Sequence, residues 1–379
     1  MDEPYRNSFW ESTSLLRPVG ITVIGGGLTG LQTAIAIKTL RPELDVLLLE
    51  RAPFSRGAST RNAGFACFGS PTELLEDLEN GDETTVWDTV SRRYAGIRKL
   101  EEKYGAHCDY HQYGGYELFY EKSTAYQKVL AALPALNESF SRTTGAGPAW
   151  KIVHSAPGIA DDCRLVYCTL EGQLHPGKLV EHLMQRADRL GVRSLYGMAV
   201  ASINGEVGRY ELSFTDQSAT LITQEVIVAT NAFTKALLPD LTIQAVRNQV
   251  IITKPIPRLQ LRGCFHYDRG YVYFRNIGPD RLLIGGARNQ AGKISETTEF
   301  GSNEKIDALL LSYLQRALPS TIREQVEVDR RWSGIIAQGG KSPIVSRLEN
   351  GLIVAARLSG MGVALSAQVA EEAALLALS

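Results

Sequence analysis

Apolar residues in this chain fall into short runs of strand length, separated by stretches with helical spacing. Ile21-Thr-Val-Ile24 predicts a first strand, Leu31 to Leu40 a helix, and Val46 to Leu49 a second strand that is apolar at every position. Thr72 to Tyr104 reads helical, and Tyr110 to Tyr120 alternates and is rich in tyrosine, which suits a pair of strands. Ser123 to Leu136 is again helical, and Arg142 to Pro148 marks a loop. Leu174-His-Pro176 opens a helix that stops at Gly191, with proline near the first turn and glycine past the end. Ser194 to Ile203, Tyr210 to Phe214 and Glu225 to Ala229 predict strands, as do Gln249 to Thr253, Gly270 to Phe274 and Arg281 to Gly285. Ser302 to Leu318 is a long helical pattern ended by Pro319. Leu352 to Ala356 is a last buried strand before a terminal helix.

The joint between the first strand and helix carries Gly25-x-Gly27-x-x-Gly30. Gly25 permits a tight turn, Gly27 lets the backbone approach a pyrophosphate, and Gly30 lets the helix pack closely on the strand. The helix N-terminus, at Leu28 and Thr29, presents N–H groups and a positive dipole end to phosphates. Glu50 closes the next strand about 20 residues on, where an acid accepts from ribose hydroxyls. Strand, loop, helix, strand and acid in that order predict a dinucleotide site. Later glycine pairs, Gly285-Gly286 and Gly339-Gly340, lack this context, so one nucleotide cofactor is implied. The pattern then crosses at least twice between a nucleotide domain and a second, strand-rich domain.

A chain of 379 residues exceeds what one compact core usually serves. Lys+Arg 40 against Asp+Glu 41, with both signs interspersed, offers no cationic block for nucleic acid or a membrane surface. Five scattered cysteines without a C-x-x-C argue against a disulfide scaffold and a redox dithiol. Met1 to Gly20 mixes charges and holds no long apolar core, which predicts neither a signal peptide nor a membrane span. A cytoplasmic protein is expected.

Ile21 to Gly30, Glu50, Gly57-Ala-Ser-Thr-Arg-Asn-Ala-Gly64, Val226-Ile-Val-Ala-Thr-Asn-Ala232 and Ser359-Gly-Met-Gly-Val363 together resemble the FAD-dependent D-amino acid oxidase superfamily, which includes glycine and sarcosine oxidases. Asn7-Ser-Phe-Trp-Glu-Ser-Thr13, Tyr271-Val-Tyr-Phe-Arg275 and Arg281 to Gly286 are similar to its gamma-glutamylputrescine oxidoreductase branch. The resemblance implies an α/β fold: a Rossmann-like FAD-binding domain of the glutathione-reductase type, interleaved with an α+β substrate domain on an antiparallel sheet. The expected FAD domain covers 15–75, 150–240 and 326–379, and the substrate domain 76–149 and 241–325.

The resemblance also assigns roles. Ala58, Ser59, Arg61, Asn62, Ala63 and Gly64 would lie along pyrophosphate and flavin, with Arg61 able to pair with phosphate. Arg51 either stacks near the adenine or is solvated; Val200 either touches the adenine or is core. Thr230 and Gly334 complete the cofactor set. Gly360, Met361, Gly362 and Val363 would place a helix start beside the flavin, its dipole stabilising negative charge there. The implied reaction oxidises the C–N bond of an amine or amino acid to an imine, by hydride transfer to flavin N5. Arg275 and Arg288 are candidates for holding a carboxylate, since arginine grips carboxylates bidentately. Tyr273, Phe65 and Trp332 would wall the site or simply be core.

Three departures from the family pattern matter. No cysteine lies in Gly334 to Gly340 and no histidine in Ser59 to Gly64, so noncovalent FAD is expected. Met361 stands where relatives often have histidine. Leu283 stands where sarcosine oxidases place the lysine that assists oxygen reduction, which leaves open whether oxygen or another acceptor reoxidises the flavin. A dehydrogenase of a hydroxy acid or glycerol phosphate and a non-catalytic flavin-binding protein are the alternatives. Substrate and oligomeric state stay open, and no metal site is expected.

Overall fold

A computed structural model describes residues 7–120, 122–216, 219–340 and 342–379. Of the N-terminal stretch expected to carry no leader, Met1 to Arg6 lie outside the described residues. The chain forms two compact units. One comprises residues 1–60, 177–245 and 336–379, the other 61–176 and 246–335.

The first unit is built on an eight-stranded sheet ordered Ile344–Arg347, Ile353–Ala356, Thr220–Val228, Val19–Ile24, Val46–Glu50, Arg193–Tyr196. Val19–Ile24 pairs in parallel with both Thr220–Val228 and Val46–Glu50. Val200–Glu206 and Arg209–Phe214 join by antiparallel pairing at the flank of Thr220–Val228. Central parallel strands are covered on both faces, which is why Val46–Glu50 and Ile353–Ala356 are buried at every position. Ile24, Leu47, Leu49, Val226 and Val228 pack against Tyr210, Leu212 and Phe214 on one side. Leu28–Leu40 and Gly362–Leu378 run beside each other, joined by a 2.8 Å bond from Gln32 Nε2 to Ser366 Oγ.

The second unit carries the other eight-stranded sheet: Val328–Gln338, Gln244–Thr253, Arg281–Gly286, Val272–Ile277, Cys264–Tyr267, Gly115–Tyr120, Cys163–Cys168, Trp150–Val153. Pairings from Gln244–Thr253 onward are antiparallel, except that Cys264–Tyr267 runs parallel to Gly115–Tyr120. The sheet expected to be antiparallel thus also holds a parallel pair. Residues 150–176, placed by sequence in the nucleotide domain, supply its last two strands, because Cys163–Cys168 pairs with Gly115–Tyr120. The alternation of its strands separates two faces. Val272, Phe274, Leu282 and Ile284 pack with Ile306, Leu310 and Leu314 of the helix Glu304–Ala317. Tyr273, Ile277, Leu283 and Val250 turn the other way, to Ala63, Phe65 and Trp332.

Local differences have local causes. The expected helix 72–104 is two helices, Pro71–Asn80 and Glu83–Tyr104, because Gly81 breaks the first and the Asp82 side chain caps the second by accepting from Thr85 N–H. Of the expected strand pair over 110–120, one strand forms, Gly115–Tyr120, with a single bridge from His111 to Gln173.

Candidate active site and cofactor loops

In the first unit the glycine turn has the geometry its spacing predicts. A Cβ on Gly30 would stand 1.8 Å from Gly25 O, and Gly25 has φ +113°. Glu50 is buried, and two amides fix its carboxylate: Gly26 N–H donates to Oε2 at 2.9 Å and Ala52 N–H to Oε1 at 3.0 Å. A carboxylate has about four acceptor directions, so lone pairs remain for ribose hydroxyls. Ser59, expected along the pyrophosphate, accepts the Leu28 N–H at 2.8 Å through its hydroxyl. It supplies the cap that Gly27, having no side chain, cannot.

Arg51 lies 3.7 Å from the Phe233 ring centroid, and burial draws its pKa down. Val200 packs at the edge of the core formed by Tyr210 and Leu212. The Thr230 and Thr234 hydroxyls meet at 3.0 Å, while Asn231 Oδ1 accepts the N–H groups of Arg357 and Leu358. That contact steadies a turn in which Arg357, Ser359 and Gly360 all have positive φ. The turn delivers the chain to Gly362–Leu378, whose N-cap Met361 gives no side-chain cap.

These residues fit FAD. A Cβ on Gly57 would meet nothing within 4 Å, and one on Gly360 only Ile336 Cδ1 at 4.0 Å, so both backbone stretches lie open. The uncapped helix start at Gly362 matches an anionic ring edge. Val363, by contrast, is buried and turned into the fold.

The second unit holds the rest of the predicted loop and the substrate candidates. Arg61, expected on phosphate, donates Nε–H to Ser333 O at 2.5 Å and stacks over Phe300 at 4.3 Å. Its carbonyl accepts from Trp332 Nε1 at 3.0 Å, and Gly334 lies against its Cβ. Asn62 Oδ1 accepts Gly64 N–H at 2.8 Å. Gly64, at φ +73°, has no room for a Cβ, since Leu174 O would be 2.2 Å away.

Arg275, expected to grip a substrate carboxylate, is buried and engaged with the main chain. Its Nε donates to Ala63 O at 2.5 Å, Nη2 to Leu174 O at 2.9 Å and Nη1 to Asn276 O at 3.3 Å. Burial lowers its pKa to about 10. It ties the loop at Ala63 to Leu174. Arg288 differs. It stacks on Tyr271 at 4.8 Å, and its Nε is buried with no hydrogen-bond partner among the described residues.

Beside it, Tyr273 Oη accepts from Asn248 Nδ2 at 2.9 Å. Burial pushes the Tyr273 phenol up to about 12, against the pull of Arg288 and of that hydrogen bond. Asn248 Oδ1 is buried without a partner among the described residues. Asn248 carried no signal in the sequence, where the expected strand began only at Gln249; the strand in fact runs Gln244–Thr253 and includes it. A second feature absent from sequence is the pair His266 Nε2 and Glu171 Oε2, 2.9 Å apart, with the edge of Phe65 between His266 and Tyr273. Strand register places His266 opposite Tyr273, and nothing along the chain announces Glu171 as its partner.

Comparison with known proteins agrees with this architecture. The chain is 24% identical over 375 residues to the gamma-glutamylputrescine oxidoreductase of Escherichia coli (strain K12), covering 90% of this chain and 80% of that protein. It is 26% identical over 289 residues to the bifunctional protein ThiO/ThiG of Synechocystis, a match taking in 71% of this chain but only 39% of that protein. The fold matches glycine oxidase from Geobacillus kaustophilus with a TM-score of 0.76, at 20% identity over 95% of both chains. L-proline dehydrogenase from P. horikoshii matches with a TM-score of 0.74 at 18% identity, over 95% of this chain and 93% of that one. A family model described as FAD dependent oxidoreductase (DAO) spans residues 20–376, and the chain accordingly belongs to that family: it is a flavoenzyme oxidoreductase with FAD as its cofactor.

Proposed function

We propose that the enzyme oxidises the C–N bond of an amino acid or related amine to an imine, with Arg288 and Asn248 receiving the two ends of the substrate. The first unit's loops hold FAD without a covalent link, through Gly25 to Gly30, Glu50 and the start of Gly362–Leu378. The second unit's sheet face receives the substrate. The observation that carries this reading is the pair of unsatisfied buried atoms, Asn248 Oδ1 and Arg288 Nε, flanking the Tyr273 phenol. Among the described residues, a buried acceptor and a buried donor each lack a partner worth about 1–3 kcal/mol. An amine N–H satisfies the first and a carboxylate the second. The relatives named above, a gamma-glutamylputrescine oxidoreductase, a glycine oxidase and an L-proline dehydrogenase, support the same substrate class.

Bound FAD supplies the two-electron acceptor; the protein's own task is to orient and to exclude water. Val250, Leu283, Ala63, Phe65 and Trp332 form an apolar surround for that purpose. Tyr273 keeps its proton below a pKa of about 12 and so serves as a hydrogen-bonding group, not a base. Leu283 is buried in this surround and puts no cation there, which favours slow reaction with oxygen and a separate electron acceptor. Five buried free cysteines support a reducing compartment such as the cytoplasm. No helix among the described residues is long and apolar enough to cross a membrane.

Anaerobic mixing of the purified holoenzyme with glycine, sarcosine, D-amino acids, proline and polyamine derivatives is the test. Bleaching of the flavin by at least one is expected. Arg288→Ala should raise KM for substrates bearing a carboxylate by about tenfold or more, equal to about 1.4 kcal/mol. It should spare amines that lack one. Bleaching by 2-hydroxy acids alone would overturn the reading.

A further inference from the structure

Beside the groups assigned to substrate, where His266 stands opposite Tyr273 on the neighbouring strand, the second unit gathers four chemically soft or ionisable side chains in one buried place. Cys67 Sγ, a Glu171 carboxylate oxygen and a His266 ring nitrogen all lie within 4.8 Å of one another. Glu171 keeps 1% of its side chain exposed and His266 12%. The Cys264 thiol hydrogen-bonds that of Cys67 and reaches Gly172 O at 3.3 Å.

The backbone builds this cluster deliberately. Phe65–Ala66 pairs antiparallel with Gly172–Gln173, Ala66 opposite Gly172, so the next step along each strand brings Cys67 opposite Glu171. Cys264 and His266, two residues apart on one strand, point to the same face. Gly115 clears the space: a Cβ there would stand 1.8 Å from Glu171 Oε2. An ion pair accounts for Glu171 and His266, but not for a thiol brought to both from a third segment.

We propose that Cys67, Glu171 and His266 form a binding site for a divalent metal ion of the zinc type. Thiolate, imidazole and carboxylate together are the donor set of zinc. Binding releases the Cys67 thiol proton and any proton on the coordinating imidazole nitrogen, which pass to solvent. The ion would staple the loop after Ala66, the segment before Gly172 and the strand Cys264–Tyr267. The proposal does not depend on which substrate the flavin oxidises.

The test uses the FAD-loaded enzyme, treated with a chelator and then offered Co(II) or Zn(II) salts before gel filtration. Elemental analysis should find one metal per chain. The Co(II) form should show d–d absorption at longer wavelength than the flavin bands, with the intensity of a four-coordinate site. Cys67→Ser and His266→Gln should lose stoichiometric uptake while retaining FAD absorbance. Cys163→Ser, a buried cysteine packed in the opposite core, should bind as the wild type does. Zn(II) should also raise the wild-type melting temperature and leave that of His266→Gln unmoved. Substoichiometric uptake by the wild type, or a Co(II) spectrum matching the free aqua ion, would overturn the site whatever the variants do. So would equal uptake by wild type and His266→Gln.

Discussion

Three side chains on one strand and its neighbours show how much a residue's surroundings decide its work. Arg275 and Arg288 are the same residue type, yet one is bonded to three carbonyls and the other keeps a buried Nε without a partner among the described residues. Arg275→Ala strips donors from buried Ala63 O and Leu174 O, so it should lower unfolding stability by about 3 kcal/mol. Urea denaturation followed by far-UV circular dichroism measures this; a stable variant with only a raised KM would instead support a direct role in binding. Tyr273 presents the opposite case, a group whose chemistry is restrained. Its phenol should stay protonated through neutral and moderately alkaline pH. Tyr273→Phe is thus expected to leave any alkaline limb of the kcat/KM profile in place while lowering kcat/KM. Loss of that limb would make the phenol an acid–base group after all.

At the scale of elements, two helix starts carry the argument. The Gly25 to Gly30 turn tolerates no Cβ at its last position, because Gly25 O already occupies it at 1.8 Å. Gly30→Ala should therefore yield protein that takes up no FAD, read from the absorbance of the gel-filtered product. Glu50→Gln replaces a charged acceptor with a neutral one and should weaken FAD by about tenfold, followed by quenching of flavin fluorescence on titrating apoenzyme.

The helix Pro71–Asn80 is capped from outside. Glu117 accepts from Thr72 N–H at 3.1 Å and from the hydroxyls of Ser70 and Thr72. Burial nonetheless raises its carboxyl to about 6, outweighing those bonds. Between pH 4.5 and 6 the folded state then holds a proton that the unfolded chain releases. Stability from Glu117 is present below pH 4.5 and falls as pH rises to 6, by about 2 kcal/mol. Urea midpoints at pH 4.5 and 7 should show this fall in the wild type and lack it in Glu117→Gln.

Over the whole molecule, two sheets serve two purposes by different patterning. The first unit's sheet is buried at every position of its strands Val46–Glu50 and Ile353–Ala356, and its strand Val19–Ile24 leads into the glycine turn. The mixed sheet is apolar on its helix-covered face and carries Tyr273 and Arg275 on the other. Since FAD binds only the folded chain, holoenzyme should melt above apoenzyme, by a margin that grows with free FAD. About 2.7 kcal/mol is expected at a hundredfold excess over Kd, and differential scanning calorimetry at two FAD concentrations measures it. An unchanged melting temperature would mean that the loops at Gly25 and Gly360 are not organised by the cofactor.

What the sequence determined by itself was local. Glycine spacing, an acid at a strand end and the period of the apolar runs depend on neighbours within about 20 residues, so the nucleotide turn, Glu50 and most strands were legible in the chain. The different surroundings of Arg275 and Arg288 were not, because the distant carbonyls of Ala63 and Leu174 engage one guanidinium, while the other's Nε has no partner among the described residues. Neither was the orphaned oxygen of Asn248, nor the meeting of Cys67, Glu171 and His266, which come from three strands or their flanks. Hydrogen bonds and metal–ligand contacts act over a few ångströms in space and carry no memory of separation along the chain. The glycine turn is therefore written in one stretch of sequence, whereas the face carrying Tyr273 and the buried cluster exist only once the second sheet has paired.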